Sequence, residues 1–319
     1  MKKILIFGAN GFTGIHLYHY LRRVEKKEII GTYLKKPNSS YRKYLKGCQL
    51  KSCDINEFSQ IKRVLESVKP DQIYFLPAIV TVGASFDRAV EIYNTNILGL
   101  KIFFDAFVNV GLRSKILIVG SAEEYGKVKK AALPIKESQP LNPVNPYGFS
   151  KTIQDRLVKY YSSNYRLCVH RTRTFHFTGP LQPDSFVVSD FASQIAQIEA
   201  GFKRPVVSVG NLSAKRDFTD IRDVVRAYHL IMNKVEEPDV FNVCSNRSVS
   251  IQIILERLIY ESKVDIKIKQ DPKKLRSLDV LDFRGDNSKL IKKTKWKEEV
   301  SFDQMLRDVI NYHRQLVKK

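Results

Sequence analysis

The chain opens Lys3-Ile4-Leu5-Ile6-Phe7-Gly8-Ala9-Asn10-Gly11-Phe12-Thr13-Gly14. Ile4 to Phe7 is an unbroken apolar run of strand length, and Gly8 stops it. From Gly14 to Arg23 the apolar spacing becomes that of a helix. Between the two stand three glycines at intervals of three. They suit a positive φ in a tight turn, close backbone approach to a pyrophosphate, and close packing of helix on strand. The helix that follows presents free N–H groups and partial positive charge at the same spot. Inside a βαβ unit this is the pattern of a dinucleotide-phosphate site, with Gly8, Asn10, Gly11, Phe12, Thr13 and Gly14 as candidates.

Outward from that turn, short apolar runs alternate with amphipathic stretches. Strands are expected at Glu28–Tyr33, Cys48–Asp54, Gln72–Leu76, Ile116–Val119 and Leu167–Thr172. The spacing predicts helices over Ile61–Val68, Val90–Val110 and Gly148–Tyr161. That alternation argues for an α/β fold, a Rossmann-type doubly wound parallel sheet. Past residue 173 the pattern loosens. A helix (Val188–Gly201) and a strand (Val206–Val209) precede a return to helix and strand, ending at Val240–Val243. A tail with a further strand (Ile266–Lys269) and a closing helix follows. The expected division is residues 1–172 plus about 216–247 as the dinucleotide-binding domain. A smaller, discontinuous α/β substrate domain takes about 173–215 plus 248–319.

Composition narrows the function classes. The chain has 319 residues, 43% apolar and 27% charged, enough for a sizeable core and unlike a disordered or coiled-coil protein. No apolar run approaches the roughly 20 residues of a membrane span. The start resembles a secretion signal only in Lys2 and Lys3, because its apolar stretch ends at Gly8, short of the usual 7–15 or so residues. A cytoplasmic protein with no membrane partner is expected. Cys48, Cys53, Cys168 and Cys244 lack metal-site spacing and read as reduced thiols. Lys and Arg exceed Asp and Glu by 54 to 33, a net charge of +21 that attracts phosphorylated ligands. The charge is scattered as pairs such as Lys26-Lys27 and Lys292-Lys293, with no RNA-reading motif, so a solvated basic surface is expected and no nucleic-acid partner.

At the end of the second strand, NAD sites usually place an acid for the ribose hydroxyls. Here stand Thr32-Tyr33-Leu34-Lys35-Lys36, which favours NADP(H), with NAD(H) possible. Lys35 and Lys36 fit a 2′-phosphate; as plain turn residues they would be solvated. Asp54 can accept from an adenine amino group or cap its own turn. Further on, Tyr147-Gly148-Phe149-Ser150-Lys151 sets a phenol and an ammonium four residues apart on one helix face. A tyrosine with an ordinary pKa near 10 needs such a cation to exchange protons near neutral pH. Ser121 lies just past the Ile116–Val119 strand, at the carboxyl edge where active groups of such sheets collect.

With these residues in place the chain resembles the extended short-chain dehydrogenase/reductase (NAD-dependent epimerase/dehydratase) family of nucleotide-sugar enzymes. The likeness covers nearly the whole length. It is most specific in Gly120–Gly126, Leu141–Lys151, Phe175–Pro180, Val209–Val225 and Leu275–Val280. Within the family it is most like the reductases of GDP-6-deoxy-4-keto-mannose that form GDP-D-rhamnose. The resemblance implies that Ser121 holds the substrate carbonyl oxygen, Tyr147 protonates it, and Lys151 tunes Tyr147. Glu123 takes the place of the family's dehydratase carboxylate. Ile55, Leu76, Pro77, Ala78 and Asn96 would join the cofactor site. Val80, His176, Val187, Val188, Asn211, Leu212 and Asp279 would border the substrate, with Arg216 and Arg276 clamping its diphosphate. Three positions depart from the family pattern: His176 stands for Asn, Phe177 for His, and Leu181 for a Gly. The fourth strand also ends Leu76-Pro77-Ala78 where the family has Leu-Ala-Ala.

The leading expectation is an NADPH-dependent reductase of the C4 ketone of a GDP-linked 4-keto-6-deoxy sugar, hexose or heptose, with Tyr147 as general acid. Alternatives are a GDP-mannose-type 4,6-dehydratase or a C4 epimerase using Glu123. A non-catalytic dinucleotide sensor or RNA binder is disfavoured by the intact Ser121, Tyr147 and Lys151. A homodimer through the helices near 90–110 and 148–161 is expected from the family.

Overall fold

The computed structural model describes residues 2–36, 39–80, 85–262, 264–275 and 282–318. Its strands are β1 (Lys3–Phe7), β2 (Glu28–Tyr33), β3 (Gln49–Ser52), β4 (Gln72–Phe75), β5 (Lys115–Ser121), β6 (Val169–Thr174) and β7 (His176–Thr178). They continue as β8 (Val206–Val209), β9 (Lys215–Arg216), β10 (Phe218–Asp220), β11 (Val240–Val243), β12 (Val249–Ser250), β13 (Lys267–Gln270) and β14 (Asp282–Phe283). Seven of them form one parallel sheet in the order β11-β6-β5-β4-β1-β2-β3. The chain runs outward from β1 to β3, then crosses back to β4. That reversal opens a crevice beyond the carboxyl ends of β1 and β4, where doubly wound sheets bind ligands.

The helices are α1 (Phe12–Val24), α2 (Ser39–Arg42), α3 (Phe58–Val68), α4 (Ala89–Tyr93), α5 (Gly99–Val110) and α6 (Pro146–Tyr165). Then come α7 (Val187–Glu199), α8 (Ile221–Lys234), α9 (Ile251–Tyr260), α10 (Ser288–Thr294) and α11 (Phe302–Val317). The period-two geometry of β1 explains its continuous apolar run. Ile4 and Ile6 enter a core with α1 and α8, while Leu5 and Phe7 enter the opposite core with α3 and α5. A third core joins α7, α9 and α11 around Phe191, Ile254 and Leu306. The tail feeds two of these cores, since Leu290 and Trp296 pack with α1 and α8.

The segment expected as one helix over Val90–Val110 is instead α4, a π-helical stretch over Asn94–Leu98, and α5. Such π stretches recur at functional sites, and this one brings the Asn96 carbonyl to Gln154 Nε2 at 2.5 Å. Short strands β7, β9, β10, β12 and β14, too brief for a periodicity signal, tie the second half of the chain together. Some of the basic excess is structural: Arg173 pairs with Glu124 and Asp155, Arg226 with Asp223, and Arg314 with Glu199. The four cysteines are free thiols. Among the described residues no helix is long and apolar enough to cross a membrane.

Candidate active site

The glycine turn leaves β1 with Gly8 at φ +77°, and a Cβ on Gly14 would fall 2.4 Å from the Gly8 carbonyl oxygen. Only glycine allows α1 to start this close to the strand. Gly11 precedes α1 with no side-chain cap, and the first turn carries no acid. Its N–H groups and positive dipole end therefore suit a diphosphate, so the residues present fit a dinucleotide. Thr32 is buried, its Oγ1 accepting from Gly8 N at 3.2 Å. Asn10 Nδ2 donates to the Lys35 carbonyl at 2.9 Å, which places exposed Lys35 and Lys36 beside the turn. Phe12 stacks on Phe177, centroids 6.0 Å apart, and Thr13 is half-buried. Asp54 Oδ1 accepts from Asn56 N at 2.9 Å, capping its own turn, and Ile55 is buried. Leu76, Pro77 and Ala78 follow β4 as a half-buried wall. Asn96 is fully buried, its amide bonded to Ile79 N, Ile79 O and Ser150 Oγ, so it props the wall from behind.

Ser121 ends β5, and α6 starts across from it. Asn145 caps α6 through Gly148 N at 2.8 Å, and Pro146 fits the first turn, where its missing N–H costs nothing. This start buries Tyr147 with Ser121 in hydrogen-bonding reach of its phenol. Burial is the largest influence on that phenol and pushes its pKa well above the ordinary 10; the Ser121 hydrogen bond pulls the other way. Lys151, one turn on and 3% exposed, donates from Nζ to Val119 O at 2.9 Å and Gln154 Oε1 at 3.0 Å. Burial depresses its pKa to about 8, opposed by the charge of Glu124. A neutral phenol, a hydroxyl and a tunable ammonium thus share the sheet's carboxyl edge.

Glu123 is half-buried, its Oε2 accepting from Asn145 Nδ2 at 3.0 Å, and its N–H donates to Ser121 Oγ at 3.2 Å. On the second-domain side, buried Arg216 sits on β9 between β12 and β14, its Nη1 donating to Lys215 O at 2.8 Å. His176 lies among Phe218 and Phe283 rings. Asn211 Oδ1 accepts from Ser213, Val187 is half-buried at the start of α7, and Val188 is buried in the third core. Val80 is exposed. Arg276 and Asp279 lie outside the described residues.

Three side chains that sequence reasoning passed over belong to this neighbourhood. Gln154 holds Lys151 and was signalled only by its position one turn past the lysine. Glu124 is buried under Ser121. Asp217 is fully buried beside Arg216 and accepts from Ser245 N, Ser245 Oγ, Asn246 N and Gly285 N. Burial lifts its pKa to about 6 against those four donors.

This sheet with this edge defines an oxidoreductase of the extended short-chain dehydrogenase/reductase class. Residues 5–309 match the family profile of GDP-mannose 4,6 dehydratase. The chain belongs to that family. It is 29% identical to the GDP-6-deoxy-D-mannose reductase of Pseudomonas aeruginosa over 97% of this chain and 96% of that one. Identity to the GDP-mannose 4,6 dehydratase of Cricetulus griseus is 27%, over 83% of this chain and 76% of the relative. The solved structure of RMD from Pseudomonas aeruginosa complexed with NADPH superposes with a TM-score of 0.87 at 28% identity, covering 99% and 100% of the two chains.

Proposed function

We propose that this protein is an NADPH-dependent reductase of the C4 ketone of a GDP-linked 4-keto-6-deoxy sugar. One observation carries the reading: Ser121, at the carboxyl end of β5, is in hydrogen-bonding reach of the buried Tyr147 phenol, with buried Lys151 one turn further along α6. NADPH, when bound along the glycine turn, supplies hydride. Tyr147, held neutral by burial, donates its proton to the sugar O4. Ser121 donates a hydrogen bond to the oxygen as negative charge develops there, and Lys151 stabilises the phenolate left behind. Arg216 and Arg276 clamp the diphosphate. Lys35 and Lys36 engage the 2′-phosphate, and the similarity to the reductase structure with NADPH supports that choice. Residues 1–172 with about 216–247 carry the cofactor, and about 173–215 with 248–319 the sugar nucleotide. Supplied with GDP-4-keto-6-deoxy-mannose, pure protein should consume NADPH stoichiometrically; no consumption would end this reading.

The second reading is a GDP-mannose 4,6-dehydratase. It is favoured by Glu123 two residues past Ser121, oriented by Asn145, and by the 27% identity to a dehydratase. Copurified NADP+ and turnover of GDP-mannose without added NADPH would establish it. Exposed Val90, Leu98, Phe149 and Tyr160 on the α4–α6 helices support a homodimer, which light scattering tests directly. The four free thiols suit a reducing, cytoplasmic setting.

A further inference from the structure

Two features of the buried side of β5 meet in one residue. Ser121 is the N-cap of a single helical turn over Ala122–Glu124, and Glu124 completes a capping box: its Oε1 accepts from Ser121 N at 2.9 Å. Its Oε2 accepts from Arg173 Nε at 3.2 Å. Glu124 also lines, together with Lys151 and Gln154, a small cavity of about 10 Å³. At 2% exposure this carboxylate has no solvent to screen it.

We propose that Glu124 is a positioning residue that fixes Ser121 by its hydrogen bond and holds Lys151 in its ammonium form by its charge. The proposal rests on the reductase reading only for its catalytic consequence. Burial favours the neutral acid, whereas Arg173, the Ser121 N–H and Lys151 favour the carboxylate. On balance burial raises the Glu124 pKa above its ordinary value, while both oxygens accept N–H donors, the arrangement that suits a carboxylate. Around Lys151 the charged and titratable groups are Glu124 on the turn after β5, Arg171 and Arg173 on β6, and Asp155 and Lys159 on α6, with Tyr147 one turn before it on the same helix. Asp155 is shared among Arg171, Arg173 and Lys159, whereas Glu124 has Arg173 alone as an ion-pair partner among the described residues. That leaves Glu124 as the anion that raises the Lys151 pKa against burial.

Two substitutions separate the two roles. Glu124→Gln keeps an acceptor for Ser121 N and removes the charge; Glu124→Asp keeps the charge and shortens the reach by one methylene. Lys151 is read by NMR titration of 13Cε-labelled lysine, its resonance identified by its loss in Lys151→Met. In Glu124→Gln the Lys151 midpoint should fall by about one pH unit or more, whereas in Glu124→Asp it should stay near that of the unsubstituted protein. A midpoint that moves by less than about 0.3 in Glu124→Gln overturns the proposal. Coupling is reciprocal, so should Glu124→Gln not fold, Lys151→Met must raise the Glu124 carboxyl midpoint, read by 13Cδ-labelled glutamate, or the proposal fails. The same samples give the pH profile of NADPH consumption, whose alkaline limb should move down with the Lys151 midpoint. A protein without turnover on any GDP-sugar refutes the reductase reading, while the titrations still decide the role of Glu124.

Discussion

Lys151 should make stability and turnover respond to pH in opposite senses. Burial takes its pKa from the ordinary 10.5 to about 8. At about 1.36 kcal/mol per pH unit, keeping it charged in the fold costs about 3 kcal/mol. The sign follows from proton counts. Between pH 8 and 10.5 the unfolded chain holds the proton and the folded chain does not, so stability rises with pH in that window. Below 8 both states are protonated and the whole cost is present; above 10.5 both are neutral and it is gone. Other groups titrate there too, so the quantity to measure is a difference: denaturant unfolding of the unsubstituted protein against Lys151→Met at each pH. From pH 7 to 9.5 that difference should shift by about 2 kcal/mol in favour of the lysine-containing protein. Turnover should fall over the same range as the ammonium is lost. A difference flat to within about 0.5 kcal/mol would mean that Lys151 titrates as an ordinary lysine, and the account of its burial would be wrong.

Tyr147→Phe should lower turnover by about 10²-fold or more while leaving NADPH binding, read by fluorescence titration, unchanged; retained turnover removes Tyr147 from the mechanism. Replacing Lys35 and Lys36 together by alanine should cut the NADPH/NADH preference by about tenfold or more, and an unchanged ratio of kcat/KM excludes them as phosphate ligands. Leu181→Gly sets two effects against each other. It relieves about 1–2 kcal/mol of left-handed strain but forfeits about 2–5 kcal/mol of buried leucine, so a net loss of Tm is expected, and a gain would reverse that ranking.

Much of the sheet was legible because its strands are buried on both faces and announce themselves as apolar runs. Glu28–Tyr33 and Val240–Val243 lie where the run lengths put them, as does Val206–Val209 outside that sheet. The pleat of β1 could be read from four residues. By contrast, the π stretch over Asn94–Leu98 has no periodicity of its own and arises from tertiary bonds to Ile79, Ser150 and Gln154. Tyr147, Lys151 and Ser121 stood out because their spacing means something chemically. Glu124 did not, because its importance comes from Arg173, 49 residues away on the next strand. Glu123 stood out through the resemblance, as the place of the family's dehydratase carboxylate, and nothing in the sequence signals that its neighbour Glu124 is the buried one. Asn96 and Asp54, both candidates for the cofactor site, also bond the protein's own backbone, and for Asp54 this is the turn-capping role its position allowed.

The three departures from the family pattern do not carry equal weight for the substrate. Phe177 lies nearly parallel to Phe12, at 9°, so its ring is engaged with the start of α1. Leu181 occupies a backbone with φ +76°, which explains why a glycine is usual there. Its side chain, 5% exposed, joins the core with α1 and α8, and its carbonyl accepts from Tyr41. His16 bonds the neighbouring Pro180 carbonyl at 2.8 Å. Both changes are therefore absorbed by packing between the glycine turn and the Gly179-Pro180 bend. His176 differs: it is half-buried on β7 between Phe218 and Phe283, directly paired in register with the strand that follows Arg216. A ring in place of the family's shorter amide changes both the bulk and the hydrogen-bond donors at this position. If one departure changes which 4-keto sugar fits, it is His176, and His176→Asn should shift relative kcat/KM among GDP-linked keto-sugars while Phe177→His changes only stability. Equal shifts from both would show that the Phe12–Phe177 stack reaches the sugar after all.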